Sequence, residues 1–367
     1  MPHTPGLNGF VMKAVNQRIK YVRARDGCQL AWADSGSGPA LVKAANWMTH
    51  LEYEWESPVW RHWMQFFARH FRYIRHDERG CGMTDRTVGD LSVESWTDDL
   101  ETVIDAAKPA EPFGLLGISQ GGAASIAYAV RHPEKVSRLI LYGSYARGPA
   151  RRGDADGEKM YRAMIDLVRL GWGSDNPTFR QVFTSRFVPG ASDEQLNWFN
   201  DLCARTTTGE IAAELLEARA QIDIVGLLSQ VKVPTLVIHS RGDAVVPIAE
   251  GRLIAGSITS AEFVELDSQN HVLLEHEPAW QRFCDEVLRF FGMTAPERDP
   301  AFDELTARES QILELISEGL GNAEIAEQLL VSEKTVRNHI TNLFDKLGVW
   351  SRAQAIVFAR DRGFKGR

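Results

Sequence analysis

The chain has 367 residues, of which 44% are hydrophobic and 25% are charged, and its formal net charge is −8 at pH 7. This length allows one large domain and one small domain, and the composition excludes a disordered chain. The acidic balance excludes a protein that binds nucleic acid over its whole surface, although it allows one local basic face.

The four cysteines are scattered and form no C-x-x-C pair, so the sequence indicates neither a zinc site nor a disulfide framework. No apolar run approaches the about 20 residues of a membrane span. We therefore expect a soluble, cytoplasmic protein that needs no metal or other cofactor and has no membrane partner.

Short apolar runs alternate with helical patterns over most of the chain. Two runs flank Asp26-Gly27, a strong hairpin signal. The alternation predicts an α/β fold with a mostly parallel sheet covered on both faces. The predicted strands after the hairpin are residues 40–44, 71–76, 113–118, 136–142, 235–239 and 262–265.

Residues 148–228 carry only helical patterns, which predicts a helical cap inserted over the carboxyl edge of the sheet, where such sheets bind ligands. Two prolines and many polar residues follow after Gly292 and indicate a linker. We therefore expect a first domain at 1–292, a linker at 293–303 and an all-helical domain at 304–367.

The stretch Gly117-Ile118-Ser119-Gln120-Gly121 ends a predicted buried strand and precedes an alanine-rich helical pattern. This is the G-x-S-x-G nucleophile elbow in a strand, turn and helix setting. The sharp turn leaves no room for Cβ atoms two residues before and two after the serine, and glycine meets that need at both positions. The alternative is a glycine-rich turn that holds a serine by chance.

A serine hydroxyl needs a histidine that takes its proton and a carboxylate that orients the histidine. Asp243 and His271 each lie in a loop just after a predicted strand. The order Ser119, Asp243, His271 resembles the triad of the α/β-hydrolase superfamily, and the resemblance covers residues 18–291. The alternatives are a turn role for Asp243, a structural role for His271, and Asp267 as a rival carboxylate, although Asp267 is poorly placed on the histidine's own loop.

The resemblance also implies an oxyanion hole. The backbone N–H of Gln120, at the helix N-terminus, supplies one donor. Relatives commonly carry His-Gly after the strand at 40–44, whereas this chain has Ala45-Asn46-Trp47. The second donor is then the Trp47 N–H, with Asn46 shaping the loop, and both residues are candidates for ligand binding. Loss of one donor can cost about 10²–10³ in turnover, so weak hydrolysis is compatible with a complete triad.

Two further features near the predicted site have a structural and a functional interpretation. Residues 77–82 resemble the D-x-R-G-x-G turn of the superfamily, and we interpret Asp77 and Arg79 as an ion-paired turn, with ligand contact as the alternative. Most tryptophans between Trp47 and Trp63 are expected in the core, with a ligand cage as the alternative.

Residues 305–359 closely resemble the LuxR/FixJ-type helix-turn-helix. Residues 301–330 hold one basic and seven acidic residues, whereas residues 331–367 hold eight basic and three acidic ones, which concentrates positive charge where a recognition helix would meet DNA. The resemblance implies that Arg337, Asn338 and Thr341 read bases in the major groove. The residues that we expect to contact phosphates are Lys334, Thr335, Asn342 and Lys346.

Relatives of this type bind double-stranded DNA as dimers that often pair through the fourth helix, so the resemblance implies a homodimer. The alanines Ala353, Ala355 and Ala359 would permit close helix approach there, although alanines also occur in ordinary helix packing. The alternative for the whole segment is an amphipathic helical bundle used for protein contacts.

Two functions fit the sequence. The first is a transcription regulator whose hydrolase-fold domain senses, and hydrolyses slowly if at all, a small, largely apolar ester, lactone or amide-like ligand. The second is a working serine esterase or lactonase with an accessory DNA-binding domain. We favour the first, because base-reading positions have little use on a purely metabolic enzyme. The triad leaves enzyme activity open.

Overall fold

The structure is a computed structural model that describes residues 17–172, 178–293, 300–302, 304–317, 319–329, 331–362 and 364. The chain divides into two compact units, with the boundary between Val287 and Leu288. Most of the predicted linker, residues 294–299 and 303, lies outside the described residues, as do residues 1–16.

The first unit is built on one sheet. Its strands are β1 (Arg18–Arg23), β2 (Gln29–Ser35), β3 (Ala40–Lys43), β4 (Arg72–His76), β5 (Phe113–Ile118), β6 (Val136–Tyr142), β7 (Thr235–Ser240) and β8 (Ala261–Leu266). Their order across the sheet is β1-β2-β4-β3-β5-β6-β7-β8. β2 pairs antiparallel with β1 and β4, and all other pairs are parallel. The predicted hairpin and the mostly parallel sheet are both confirmed.

Ten helices accompany this sheet in the described residues. They are α1 (Arg61–His70), α2 (Val93–Ala107), α3 (Gly121–Arg131), α4 (Ala155–Gly171), α5 (Thr178–Phe187), α6 (Asp193–Thr206), α7 (Gly209–Ala220), α8 (Val225–Leu228), α9 (Ile248–Ser257) and α10 (Pro278–Phe290). None of the described helices is long and apolar enough to cross a membrane.

Helices cover both faces of the sheet because its central strands are apolar on both sides. Leu115, Leu139 and Leu141 pack against α2 and α3 in one buried cluster. Side chains alternate along a strand, so Tyr142 points to the opposite face. There its ring meets Trp63 of α1 and Phe283 of α10, with ring centroids 5.2 and 5.3 Å away.

Between β6 and β7 the described chain forms helices, α4 to α8, which we call the cap. Side-chain caps open three of them, at Asp154, Ser192 and Thr208. Thr206, at the end of α6, donates a hydrogen bond to the carbonyl of Thr49, 2.6 Å away. The cap is thereby joined to a loop that follows a central strand.

The second unit has its own core. Its helices are α11 (Ala307–Ser317), α12 (Asn322–Gln328), α13 (Glu333–Leu347) and α14 (Arg352–Asp361). Ile312, Ile325, Val336 and Leu343 are buried together. Ser332 caps α13, and Gly348 ends it at φ 64°, a left-handed conformation that glycine adopts at low cost.

Candidate active site and DNA-binding helix

Ser119 lies on the sharp turn between β5 and α3, at φ 53°. A Cβ at Gly117 would lie 2.6 Å from the Cα of Gly122, and a Cβ at Gly121 would lie 2.7 Å from the carbonyl oxygen of Ala45. Both distances are too short for a side chain. The turn therefore requires glycine on each side of the serine, as the sequence predicts.

Asp243 and His271 approach each other from the loops after β7 and β8. His271 Nδ1 lies 2.6 Å from Asp243 Oδ2, and both side chains are buried. The other Asp243 oxygen accepts the backbone N–H groups of Val245 and Val246. Burial alone would raise the pKa of Asp243, but His271 and these N–H donors hold it below its usual value. The carboxylate is therefore kept charged beside the histidine.

The rival carboxylate is turned away from the histidine. The Asp267 side chain is 93% exposed, and its ion-pair partner is Arg241, 3.7 Å away. Among the described residues, His271 Nε2 has no hydrogen-bond partner. Ser119 and His271 line the same cavity. A hydrogen bond between a catalytic serine and its histidine is often long in a free enzyme and shortens when substrate binds.

Two elements hold the histidine loop in place. The His271 backbone N–H donates to the carbonyl of Phe187, the last residue of α5, at 2.8 Å, and the two rings pack edge to face. On the other side, a Cβ at Gly143 would lie 3.0 Å from His271 Cε1. Gly143 also has φ 55°. Our sequence reasoning missed this glycine, although it directly follows the β6 run.

The expected oxyanion donors lie close to the elbow. Within the described chain, neither the Gln120 nor the Trp47 backbone N–H donates to another protein group. The carbonyl of Ala45 packs on Gly121, and Met48 adopts φ 61°, a strained conformation for a side-chain residue. Asn46 Nδ2 donates to the carbonyl of Trp47 at 3.3 Å, which is consistent with the expected role of Asn46 in shaping this loop.

A cavity lies between the sheet and the cap. Asn46, Trp47, Ser119, Gln120 and His271 all line it, so the structure brings together the predicted nucleophile, base and oxyanion loop. Much of its wall is aromatic or aliphatic, as expected for a largely apolar ligand. Sequence reasoning missed its three arginines, which are Arg152, Arg186 and Arg219.

The prediction of an ion pair between Asp77 and Arg79 is wrong. Arg79 pairs with Asp99 through two hydrogen bonds of 2.6 and 2.8 Å and with Asp26 at 2.7 Å. Asp77 instead accepts the backbone N–H groups of Leu51 and Met83. Helix α2 brings Asp99 within reach of Arg79, and both Asp77 and Arg79 bind groups outside residues 77–82.

The tryptophans divide between core and cavity. Trp63 is buried and donates to the carbonyl of Leu273 at 3.0 Å. Trp47 and Trp60 line the cavity. Trp47 also stacks on Trp172 of the cap, with ring centroids 5.8 Å apart. All three tryptophans are buried, as the core interpretation expects, and the ligand cage stays a prediction for Trp47 and Trp60.

The helix α13 presents most of the predicted DNA contacts to solvent. Lys334, Arg337, Asn338, Thr341 and Asn342 are exposed, and Thr335 is half-buried. Lys346 is exposed too and donates to Glu309 of α11 at 2.8 Å, and its expected phosphate contact stays a prediction. This ion pair holds the Lys346 ammonium group against its own domain.

Two of the three alanines expected at a dimer contact serve another purpose. Ala355 and Ala359 are buried in the core of their own helical unit, whereas Ala353 is exposed. Small residues on α14 therefore allow close packing within the domain. No cluster of His, Cys, Asp or Glu suited to a metal ion occurs in the described part of the chain.

Comparisons with known proteins agree with this architecture. Residues 61–279, more than half of the chain, match the model of the family described as "Serine aminopeptidase, S33". Residues 303–359 match the model described as "Bacterial regulatory proteins, luxR family".

Individual proteins are similar to the chain over part of its length. The chain is 27% identical over 255 residues to the AB hydrolase superfamily protein YisY of Bacillus subtilis, covering 68% of this chain and 91% of that one. It is 27% identical over 207 residues to the probable transcriptional regulatory protein SgaR of Hyphomicrobium methylovorum, covering 55% and 76%. A hydrolase structure from Pseudomonas aeruginosa superposes with a TM-score of 0.62 at 25% identity, covering 75% of this chain and 98% of that one.

The elbow, the sheet order and these matches confirm both resemblances, so the chain belongs to the serine aminopeptidase S33 family of α/β-hydrolase-fold proteins and carries a luxR-family DNA-binding helix-turn-helix after that fold.

Proposed function

We propose that this protein is a transcription regulator whose hydrolase-fold domain binds a small ester, lactone or amide-like molecule. Binding of this ligand changes the affinity of the protein for DNA. The observation that carries the proposal is the buried 2.6 Å contact between His271 and Asp243 in a cavity that Ser119 also lines. This site shares its chain with a luxR-family helix-turn-helix.

The residues support an acyl-transfer reaction on such a ligand. Ser119 Oγ bonds to the carbonyl carbon while His271 Nε2 takes the serine proton. The N–H groups of Gln120 and Trp47 hold the negative oxygen that develops. The bond to the leaving oxygen or nitrogen then breaks, and His271 returns the proton to it. Water attacks the acyl group by the same route and releases the acid, and Asp243 stabilises the charged histidine throughout.

A ligand can shift DNA affinity only if it binds better to one state of the protein than to another. The cap is the element suited to respond, because Trp172 and Phe183 contact the oxyanion-loop residue Trp47. A ligand between these rings and Ser119 therefore touches sheet loops and cap helices at once. The proposed signal begins with that change in cap packing.

The second candidate is an esterase or lactonase with an accessory DNA-binding domain. It is favoured by the completeness of the catalytic groups, in particular the charged Asp243 beside His271. In that case hydrolysis would proceed at the same rate whether or not DNA is bound. In the regulator, by contrast, Ser119→Ala tests whether the signal requires hydrolysis or only a bound ligand, because the variant cannot hydrolyse the ligand but keeps the cavity.

The test labels the full chain with a serine-directed phosphonate and follows the intact mass. We expect one adduct that disappears in Ser119→Ala and persists in the control Ser185→Ala, since Ser185 is exposed on α5. Labelled and unlabelled protein are then titrated with DNA selected from a random pool. A labelling-dependent change in DNA affinity supports the regulator. Unaltered affinity with a fully occupied cavity overturns it.

A further inference from the structure

The charge of the cavity wall is unbalanced. Among the described residues that line it there are three arginines, from the start and the interior of the cap, and no aspartate or glutamate. A cavity for a purely apolar molecule would gain nothing from three guanidinium groups, because each carries a desolvation cost. A negatively charged group on the ligand would offset this cost.

Arg219, on α7, is the most buried of the three, with 2% of its surface exposed. One of its nitrogens, Nη2, binds the carboxylate of Glu78, and the guanidinium lies 5.0 Å over the ring of Trp47. Its Nε and Nη1 atoms have no hydrogen-bond partner among the described residues. Leaving a buried donor unpaired destabilises the folded protein, and more so when the donor is charged.

Unlike Arg219, the other two arginines have no carboxylate within ion-pair distance in the described part of the chain. Arg186 Nη2 donates to the carbonyl of Ala244 at 2.6 Å. Arg152 Nε donates to the carbonyl of Arg147 at 2.9 Å. Carbonyl oxygens satisfy N–H groups without neutralising the charge, and burial lowers the pKa of Arg186. Of the three arginines, Arg219 is therefore the one with a carboxylate within ion-pair distance in the described chain.

We infer that the cavity binds an organic anion, a molecule with an apolar body and a carboxylate that the unused donors of Arg219 hold, with Arg152 and Arg186 adding positive potential. The two Nη atoms of a guanidinium form a planar fork that fits the two oxygens of a carboxylate. This inference rests on the proposed function, because it concerns the ligand of that same cavity. It changes the expected ligand from an apolar ester to an anionic one.

The test compares two probes of matched shape, monoethyl adipate and its primary amide, in which a neutral CONH₂ group replaces the carboxylate. Their dissociation constants are measured by calorimetry on the full chain carrying Ser119→Ala, which blocks hydrolysis. We expect the anionic probe to bind at least tenfold more tightly than the amide. This preference should fall as salt concentration rises.

Removing Arg219 alone would leave Glu78 buried and unpaired, which endangers the fold. The informative variant is therefore the double substitution Arg219→Met with Glu78→Gln, which removes both charges together. We expect it to abolish the preference for the anion, measured as the ratio of the two dissociation constants. Arg186→Gln and Arg152→Gln should each reduce the preference in part, whereas the exposed control Arg162→Gln should not change it.

Equal binding of the two probes to the Ser119→Ala protein overturns the anion inference and leaves the proposed function standing. A preference that survives the double variant and both single variants likewise overturns it. Failure of both probes to bind, together with no phosphonate adduct on the wild-type protein, contradicts the proposed function and this inference at the same time.

Discussion

The imidazole of His271 donates from Nδ1 to Oδ2 of Asp243 across 2.6 Å, although the two residues lie on different loops, 28 positions apart. Each loop follows a strand of the same sheet, and neighbouring parallel strands end at the same edge. A carboxylate and a base are thereby fixed before any ligand arrives. This relationship gives the sharpest test of the proposed chemistry.

Asp243→Asn should leave the fold intact and slow the reaction of Ser119 by a factor of the order of 10⁴, because an amide stabilises the wrong tautomer of the histidine and cannot balance its charge. The measurement is the rate of phosphonate labelling, followed by intact mass. Asp267→Asn is the matched control, since its side chain is 93% exposed. Equal slowing in both variants would contradict the assignment of Asp243.

Gly143→Ala should disturb the histidine. Its Cβ would lie 3.0 Å from His271 Cε1, and its φ of 55° disfavours any side chain. We expect a loss of stability of about 1–2 kcal/mol from backbone strain and a slower labelling rate. Gly256→Ala, in helix α9 with open space around it, should instead be neutral or slightly stabilising. Unchanged labelling in Gly143→Ala would show that the ring has room to move.

Glu309 should stabilise the helical unit in a pH-dependent way. Its carboxylate accepts from the backbone and side chain of Thr306 and from Lys346. Burial alone would raise the pKa of Glu309, but these donors hold it below its ordinary value of 4.5. A carboxyl with a depressed folded pKa stabilises fully above the unfolded value and loses that contribution as the pH falls through the folded value.

The variant Glu309→Gln should therefore weaken protection of the α11 amides by about 1 kcal/mol at pH 7, and the difference from wild type should shrink below about pH 4. Hydrogen exchange on the full chain measures this. The control is Glu327→Gln, an exposed position on α12. A difference that persists at pH 3 would show that the hydrogen-bond geometry between Thr306 and Glu309, and not the charge of Glu309, stabilises α11.

Lys334 and Lys346 should behave differently towards DNA. Lys334 is exposed near the start of α13, so Lys334→Ala should reduce the slope of log affinity against log salt by about 1. Lys346 is paired with Glu309, so Lys346→Ala should change that slope less and instead weaken the protection of α11. Equal slope changes in the two variants would mean that Lys346 leaves Glu309 when DNA binds.

Arg337→Ala should relax sequence preference at one base position and cost about 1–3 kcal/mol in specific binding. The side chain is exposed and its ion-pair partner in the helix is Glu333, 3.6 Å away, which is weak enough to exchange for a base. Selection of DNA from a random pool with wild-type and variant protein measures the change. A uniform loss of affinity across sequences would assign Arg337 to phosphate contact.

Several features could be predicted because they depend on only a few neighbouring residues. The glycines around Ser119 act within one turn, the hairpin at Asp26-Gly27 joins adjacent strands, and Ser332 caps α13 by accepting the backbone N–H of Thr335, three residues further on. Each depends on steric or hydrogen-bonding rules that operate over a few residues. They could therefore be recognised without knowing where distant parts of the chain lie.

The partners of charged side chains could not be predicted in this way. Arg79 was expected to pair within its own turn and instead binds Asp99, 20 residues away, while Lys346 binds Glu309 at a separation of 37. Arg219 reaches Glu78 across 141 residues. The ion-pair partner of a charged side chain depends on which opposite charge the packing of strands and helices brings near it. The neighbouring sequence does not indicate that partner.

The two folds, the nucleophile elbow and the chain order of Ser119, Asp243 and His271 could be predicted from sequence patterns, because these follow from short-range sterics and from the alternation of strands and helices. The packed structure was needed to establish that Asp243 and not Asp267 contacts the histidine, that Gly143 leaves room for its ring, and that cap arginines face the cavity. Those facts depend on distances between segments far apart in the chain, which are fixed when the cap and sheet pack together and bury their side chains.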